Sequence, residues 1–176
     1  MTASLAAVGV DEHHWLGHPD GGCADVAVEP AVDRLVSIID RVRPDTIVTF
    51  GPDGMTGHPD HRAVSAWTTA AWQAQCSRAR LWYATLLPSF HAQWGELNDE
   101  VGLFADVDGP PCTADEEAAL IVRCEGRILD AKMAALRAHH SQTAPLVALA
   151  GEETYRHWWS TEAFVDASSV LVGSRP

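Results

Sequence analysis

The sequence has little lysine, no excess of positive charge and no paired cysteines. Lys132 is the only lysine among its 176 residues, and the formal net charge is −12 at pH 7. Because a nucleic-acid-binding surface needs basic side chains to neutralise phosphates, this charge excludes a nucleic-acid partner. The cysteines at positions 23, 76, 112 and 124 form no C-x-x-C pair. Their spacing excludes a zinc knuckle and a dense disulfide framework, and it predicts reduced cysteines that act mostly as small apolar side chains.

Long apolar runs are also missing from the sequence. No stretch of about 18 apolar residues occurs, so no membrane-spanning helix is predicted. The first residues, MTASLAAVGV, lack the basic start and the apolar core of a signal peptide, and a cytoplasmic location is expected. The length suits a single domain over residues 1–176, and a hydrophobic content of 47% is ordinary for a globular fold.

Helical and strand patterns alternate along the chain. Helices are predicted over residues 3–9, 31–42, 62–76 and 113–140, and strands over residues 13–16, 46–50, 80–87 and 101–107. The strand TIVTF, at residues 46–50, has the apolar character that a parallel strand covered on both faces requires. The alternation predicts an α/β fold with a mainly parallel sheet and flanking helices.

The sequence contains two His-Pro-Asp tripeptides, at residues 18–20 and 58–60. The second lies directly after the strand TIVTF, and the ligand crevice of an open α/β sheet lies beyond the carboxyl ends of its strands. His58 and His61 are three residues apart, so both can lie on one side of a first helical turn. Imidazole is the commonest nitrogen ligand of zinc and the usual acid or base at neutral pH. On its own the pattern also fits a plain helix start that Asp60 helps to cap.

A wider pattern around this loop is more specific. The segment F-G-P-D-G-x-T-G-H-P-D-H, ending at His61, resembles the second signature of the PIG-L (LmbE-like) family of zinc-dependent N-deacetylases. Further segments resemble family segments in the correct order: AAVGVDEHHWLGHPDGG before this loop, KMAALRAHHSQ at residues 132–142, and TEAFV near the end. The resemblance implies a Rossmann-like fold and removal of acetyl from an N-acetylglucosamine-type, small-molecule amino-sugar substrate.

The resemblance also separates the two tripeptides. The first metal motif of the family, A-H-P-D-D-E, follows the first strand and supplies two metal ligands and the general base. The segment LGHPDGG, at residues 16–22, matches a later family position and lacks the doubled carboxylate, so it is not that motif. No other segment resembles A-H-P-D-D-E. We therefore expect an N-terminally truncated member of the family, lacking the first one or two strands of the family fold.

The resemblance assigns roles to four residues near the tripeptides. His61 matches a protein ligand of Zn²⁺, and another divalent metal is an alternative at this position. His58 matches the acid that protonates the leaving amine or steadies the oxyanion. Asp60 matches the residue that tunes His58, so both are assigned to catalysis. Asp20 matches a residue expected to contact the substrate.

Two residues near the end of the predicted long helix have open roles. His139 and Gln142 lie in the segment that resembles A-H-x-S-Q of the family. The resemblance implies that they support the active site by hydrogen bonds. A histidine near the negative end of a helix also has a purely structural explanation. The sequence leaves both alternatives open.

One histidine ligand cannot hold a catalytic zinc ion, because such sites use three protein ligands and an open position. The chain as written is therefore expected to bind zinc poorly, to be inactive as a deacetylase and to self-associate, with a homo-oligomer as one outcome. Self-association is expected because the strand at residues 46–50 would present an unpaired apolar edge.

Three functions follow from these observations. The first is a PIG-L-type deacetylase, the second is a family remnant that binds a glycan or a partner without hydrolysis, and the third is a non-enzymatic α/β module. The in-order matches disfavour the third. An in-frame A-H-P-D-D-E upstream of the Met1 codon would favour the first over the second. The exact substrate depends on variable loops, of which residues 86–100 are the long candidate.

Overall fold

The computed structural model describes residues 1–75, 79–107 and 109–173. The helices are α1 (Thr2–Ala7), α2 (Val28–Val42), α3 (Pro59–Ala74), α4 (Pro88–Glu100), α5 (Gly126–Arg137), α6 (His140–Ala150), α7 (Glu152–Trp158) and α8 (Ala167–Gly173). The strands are β1 (Thr46–Phe50), β2 (Arg80–Thr85), β3 (Leu120–Arg123) and β4 (Thr161–Asp166). Short 3₁₀ helices lie at Cys23–Asp25 and Asp115–Glu117. Cys76, within one of the predicted helices, lies outside the described residues.

The chain divides into two compact units. Residues 1–17 and 122–162 form the first unit, and residues 18–121 with the chain from Ala163 onward form the second. The single family domain expected over residues 1–176 stays a prediction. Among the described residues, no helix has the length and apolar character needed to cross a membrane.

The described strands form one sheet with the order β1-β2-β4-β3. Strand β1 is parallel to β2, with Thr46 opposite Arg80. Strand β4 is antiparallel to β2, with Ala163 opposite Thr85. The α/β class with helices flanking a sheet is confirmed, but the sheet is mixed rather than mainly parallel. The apolar pattern of the sequence does not distinguish the two cases, because a buried strand has the same pattern whether it runs parallel or antiparallel to its neighbour.

Helices α2 and α3 form as the sequence predicts, and local residues explain their ends. Helix α2 has Glu29 in its first turn and Arg41 in its last turn, which complements the helix dipole. Its C-cap is Arg43, whose φ of 49° is left-handed, and Pro44 follows. Helix α3 begins with Pro59, whose missing N–H costs nothing in a first turn.

Two predicted strands and one predicted long loop are wrong. Residues 13–16 have no regular secondary structure, and Trp15 is 67% exposed. Residues 101–107 form turns after α4. Residues 86–100, predicted as a loop, contain helix α4, which starts at Pro88. In the first two cases short apolar runs suggested strands, although such runs are ambiguous without a pairing partner.

The helix predicted over residues 113–140 is also wrong. The structure has a 3₁₀ turn, strand β3 and helix α5 in this range, and α6 begins at His140. The segment Leu120–Arg123 contains adjacent β-branched residues, which favour a strand. Gly126 has a φ of +50°, a left-handed backbone that no continuous α-helix contains. The helix-favouring composition of this range was overridden by pairing with the sheet.

The two units have separate buried residues. In the second unit, Leu81 and Tyr83 of β2 are buried against Ala167 of α8. In the first unit, Met133 and Trp158 are buried in α5 and α7. The ammonium group of the only lysine, in α5, forms an ion pair with Glu162 of β4.

Strand β1 is at one end of the strand order, so its outer edge has no strand neighbour among the described residues. Val48, at its centre, is 53% exposed. The strand, TIVTF, contains no charge and no proline, the two features that commonly protect an edge from pairing. The edge position agrees with the predicted unpaired strand, and self-association through it stays a prediction.

We expect Val48→Lys to weaken self-association of the chain about tenfold, because a lysine on an edge strand opposes pairing with another strand. Sedimentation velocity over a concentration series would measure the effect. Val28→Lys is the matched control, since Val28 is 50% exposed but lies on α2. A chain that stays monomeric at its highest soluble concentration would contradict the prediction, as would equal effects of the two lysines.

Candidate functional site

The loop at residues 51–57 joins the carboxyl end of β1 to helix α3 through tight turns. The amide of Met55 donates a hydrogen bond to a carboxylate oxygen of Asp53 at 2.5 Å. The Nε of Arg62, on α3, donates to the backbone carbonyl of Asp53 at 3.1 Å. The first bond closes a turn within the loop, and the second connects the loop to the first turn of α3.

Gly57 lets this loop pass close to a second segment of the chain. Its φ is +81°, and a Cβ built on it would lie 2.4 Å from the carbonyl oxygen of Asp106 and 2.8 Å from Cγ1 of Val107. A side chain at this position would meet both a left-handed backbone and a steric clash. The glycine therefore allows residues 106–107 to pack against the loop one residue before His58.

We expect Gly57→Ala to lower the free energy of unfolding by about 1–3 kcal/mol, because the strained backbone and the clash with Asp106 act together. Urea unfolding followed by circular dichroism would measure the change. Gly102→Ala is the matched control: its φ is +63°, but a Cβ there would meet only the Cβ of Ala105, at 4.0 Å. Equal losses of stability in the two variants would show that the contact with Asp106 contributes nothing.

The His61 ring is fixed by two contacts. It stacks on the ring of Phe50, the last residue of β1, with centroids 4.0 Å apart and an angle of 6° between the planes. Its Nδ1 lies 3.0 Å from the backbone carbonyl oxygen of Gly54. Because a carbonyl oxygen only accepts, Nδ1 carries the proton and the lone pair of the neutral ring is on Nε2. This is the tautomer required for a metal ligand that binds through Nε2.

His58 has the opposite tautomer. Its Nδ1 caps α3 by accepting a hydrogen bond from the backbone N–H of Asp60 at 3.2 Å. An accepting Nδ1 has no proton, so the neutral ring carries its proton on Nε2. The ring centroid lies 5.0 Å from that of His61. The two neighbouring rings therefore carry an Nε2–H donor on His58 and an Nε2 lone pair on His61.

The Asp60 carboxylate accepts hydrogen bonds from a segment nearly forty residues earlier in the chain. Its Oδ2 accepts from the backbone N–H of Gly21 at 2.7 Å, and its Oδ1 accepts from that of Cys23 at 2.9 Å. Desolvation alone would raise the pKa of Asp60, but these backbone bonds, together with the His58 ring when it is protonated, lower the pKa below its usual value. Asp60 is therefore ionised at neutral pH.

The first tripeptide lies against α3 in the same unit. The ring of His18 is 5.5 Å from that of Trp67, a buried residue of α3. Asp20 is exposed. Burial, and then the negative charge of Asp60, raises the pKa of Cys23, so its thiol is protonated at neutral pH and is a poor nucleophile. The sequence did not reveal that Asp60 joins the two tripeptide segments.

Comparison with known proteins identifies the family. Residues 1–72 match the family model described as PIG-L: GlcNAc-PI de-N-acetylase. A 1D-myo-inositol 2-acetamido-2-deoxy-alpha-D-glucopyranoside deacetylase from Mycobacterium sp. (strain JLS) is 32% identical over 167 residues, which cover 81% of this chain and 52% of that protein. A protein of the same name from Saccharomonospora viridis is 32% identical over 158 residues, covering 77% of this chain and 58% of that protein. The chain belongs to the PIG-L family.

A solved structure supports the fold of this PIG-L family chain. The crystal structure of the conserved protein TT1542 from Thermus thermophilus matches with a TM-score of 0.55 and 23% sequence identity. The match covers 94% of this chain and 70% of that protein. The chain spans about half the length of the curated relatives it matches, at 52% of the first.

The residues of this PIG-L family chain do not by themselves fit a zinc site. Across residues 1–75, 79–107 and 109–173, no group of three or more His, Cys, Asp or Glu side chains could hold a metal ion. His61 offers one nitrogen, whereas a catalytic zinc site has three protein ligands and an open position. Both oxygens of Asp60 accept backbone hydrogen bonds instead. No reaction step is therefore assigned to a metal.

His139 and Gln142 lie in the first unit, where α5 ends and α6 begins. His139 is half-buried and occupies the N-cap position of α6 without a side-chain capping bond, and its backbone carbonyl accepts from the N–H of Gln142 at 2.9 Å. The side chain of Thr143 donates to the same carbonyl at 3.2 Å. These contacts account for a structural role at the start of α6, and a supporting role in catalysis stays a prediction.

A cavity of ≈ 200 Å³ lies beyond the carboxyl ends of β1 and β2 in the second unit, where an α/β sheet commonly binds ligands. Its lining includes Asp53 of the loop at residues 51–57, together with Thr85 and Thr113. The hydroxyls of Thr85 and Thr113 are 2.8 Å apart. The sequence patterns did not indicate these residues, although the position of Asp53, shortly after β1, was a usable signal.

The segment expected to determine specificity lines a second cavity of ≈ 290 Å³ in the same unit. His91, Asn98 and Asp99, on α4, contribute polar groups, and Phe104 contributes an aromatic ring. The position of His91 is fixed by a contact of 3.0 Å between its Nε2 and the carbonyl oxygen of Pro111. A role in specificity stays a prediction.

Proposed function

We propose that the protein is an N-deacetylase that hydrolyses the acetamido group of an N-acetylglucosamine-type amino sugar. The observation that carries the proposal is the pair of histidines at the carboxyl end of β1, with opposite tautomers and ring centroids 5.0 Å apart. Membership of the PIG-L family and the names of the relatives from Mycobacterium and Saccharomonospora support the substrate class.

His58 acts on the substrate through its Nε2–H group. Amide hydrolysis places negative charge on the carbonyl oxygen and then requires a proton on the departing nitrogen. The bond from the Asp60 amide keeps the neutral tautomer with its proton on Nε2. This group can donate a hydrogen bond to the developing oxyanion. Passing a proton to the leaving amine requires the imidazolium form, in which Nδ1 also carries a proton and gives up the bond from the Asp60 amide.

His61 is proposed as a contact of Zn²⁺ or another divalent cation through Nε2. Stacking on Phe50 and donation to the Gly54 carbonyl hold the His61 ring in one orientation. The side chain therefore loses less conformational entropy when it binds a metal ion. If further ligands completed such a site, a divalent ion would supply Lewis-acid chemistry there. The further ligands are not assigned to residues of this chain.

Asp20 is proposed to accept hydrogen bonds from sugar hydroxyl groups. It is exposed, and it lies in the segment that the Asp60 carboxylate connects to α3. A carboxylate offers only acceptors, so it selects hydroxyl or ammonium groups of a ligand.

The test uses 1D-myo-inositol 2-acetamido-2-deoxy-alpha-D-glucopyranoside, from which a deacetylase releases acetate and a primary amine. The 176-residue chain and the protein extended by any in-frame upstream sequence are each assayed with added Zn²⁺. His58→Asn serves as the negative control for contaminating activity. Acetate release by either protein, and its loss in the variant, would support the proposal. Equal release by the variant would overturn it.

A binding protein that does not hydrolyse the amino sugar is the second candidate. It is favoured by the lack of a three-ligand metal group among the described parts of the chain. This candidate predicts that the same compound binds in isothermal titration calorimetry without any release of acetate, even from the extended protein. Deacetylation would exclude it.

A further inference from the structure

Asp60 connects two segments that carry different proposed functions. Its backbone N–H donates to Nδ1 of His58, while both of its carboxylate oxygens accept from the backbone of residues 21–23. We call these two carboxylate bonds the Asp60 link. The bonds are 2.7 and 2.9 Å long, and bonds from an N–H to an ionised acceptor are stronger than neutral ones. The Asp60 side chain therefore binds the backbone of residues 21–23.

The segment held by this link folds locally as a turn. We call residues 18–25 the 18–25 loop. It turns on itself through a bond of 3.1 Å from the Gly22 amide to the Pro19 carbonyl, and Gly21 has a φ of +76°. The ring of His18 contacts Trp67 at one end of the loop. The Asp60 link ties the loop backbone to α3 at Gly21 and Cys23.

We propose that Asp60 is a positioning residue that holds the 18–25 loop against the start of α3, so that Asp20 meets the substrate bound at His58. The inference rests on the proposed function for the role of Asp20. Asp20 is the residue directly before Gly21, whose amide is one of the two groups that Asp60 binds. Displacing Gly21 therefore moves Asp20.

This assignment differs from a role in which Asp60 only tunes the His58 ring. A residue that tunes the ring changes the chemical step and hence kcat, whereas a residue that positions Asp20 changes substrate binding and hence KM. The carboxylate bonds run to the 18–25 loop, and the bond to His58 comes from the backbone N–H, which every substitution of Asp60 other than proline retains.

The first experiment measures the Asp60 link directly and needs no activity. In Asp60→Asn the amide group has one accepting oxygen, so one of the two loop N–H groups loses its acceptor. We expect amide hydrogen exchange at Gly21 and Cys23 to become about tenfold faster, because the local opening no longer breaks a charge-assisted bond. Asp25→Asn is the matched control, since Asp25 is exposed in the same loop. Unchanged exchange rates in Asp60→Asn, or equally faster exchange in Asp25→Asn, would show that the Asp60 link does not hold the 18–25 loop.

The second experiment is a double-mutant cycle on the assayed deacetylase. Asp20→Asn and Asp60→Asn are each expected to raise KM more than they lower kcat, and the double variant is expected to have the KM of Asp20→Asn alone, because Asp60 acts through Asp20. Additive effects on KM, or a fall in kcat with unchanged KM, would overturn the positioning role even if exchange is faster.

Failure of the proposed function is distinguishable from failure of this inference. If no acetate is released, the same cycle is measured as the Kd of 1D-myo-inositol 2-acetamido-2-deoxy-alpha-D-glucopyranoside by calorimetry. A protein that neither hydrolyses nor binds this compound would overturn the proposed function and the role of Asp20. The exchange measurement would then still support or overturn the Asp60 link by itself.

Discussion

Replacing His58 by asparagine is expected to lower deacetylation about 10²–10⁴-fold, the range over which a positioned acid or base contributes to catalysis. The asparagine side-chain oxygen can occupy the place of Nδ1 and keep the hydrogen bond from the Asp60 amide. The variant therefore retains the helix cap and removes only the Nε2–H group. The rate of acetate release at saturating substrate would measure the loss.

His58→Ala is the comparison variant for this experiment. It removes the same Nε2–H group together with the cap, so it should lose as much activity and also lower the free energy of unfolding by about 0.5–2 kcal/mol. Metal content measured by plasma emission spectroscopy should be equal in both variants and the unsubstituted protein. An asparagine variant with normal activity would show that His58 acts only as a helix cap, and a loss of metal would show that it is a ligand.

Replacing His61 by asparagine is expected to weaken zinc retention by more than about 10–100-fold, the loss caused by removing groups that merely support a ligand. The side-chain amide of asparagine can occupy the position of Nδ1 and still donate to the Gly54 carbonyl, which His61 contacts at 3.0 Å. What is lost is Nε2, the proposed metal contact. Competition with a chromogenic chelator would measure the affinity of the protein extended by any in-frame upstream sequence.

His61→Phe provides the control for packing. It keeps an aromatic ring against Phe50, whose centroid is 4.0 Å away, but removes both ring nitrogens. If metal binding is the role of Nε2, the asparagine and phenylalanine variants lose zinc equally despite their different packing. Unchanged zinc uptake in both variants would refute the assignment of His61 as a metal contact.

The local structure around the second tripeptide follows from adjacent residues. The strand TIVTF, the turn that follows it and the first turn of α3 occur where the sequence predicts them. Pro59 and the cap at His58 define the helix start within a few residues of chain. Because the spacing of His58 and His61 is helical, their proximity also follows from the sequence, and the structure places their centroids 5.0 Å apart.

Elements that depend on distant partners were predicted less well. The helix predicted over residues 113–140 became a strand and separate helices because residues 120–123 join the sheet. The strand predicted over residues 13–16 did not form, since a short apolar run adopts a strand only where a neighbouring backbone is available to pair with it. Local preference was therefore correct where a helix forms its own hydrogen bonds and failed where a strand needed a partner.

The sequence by itself determined the family, the α/β class and the residues offered at the carboxyl end of β1. Only the tertiary structure decided the antiparallel placement of β4, the edge position of β1 and the tautomers of His58 and His61. It also decided that Asp60 holds Gly21, which is 39 residues away in the chain. The physical reason is that these features depend on backbone N–H and C=O groups. Such groups are chemically alike at every position, so a sequence specifies which side chains are present but not which backbone groups they will meet.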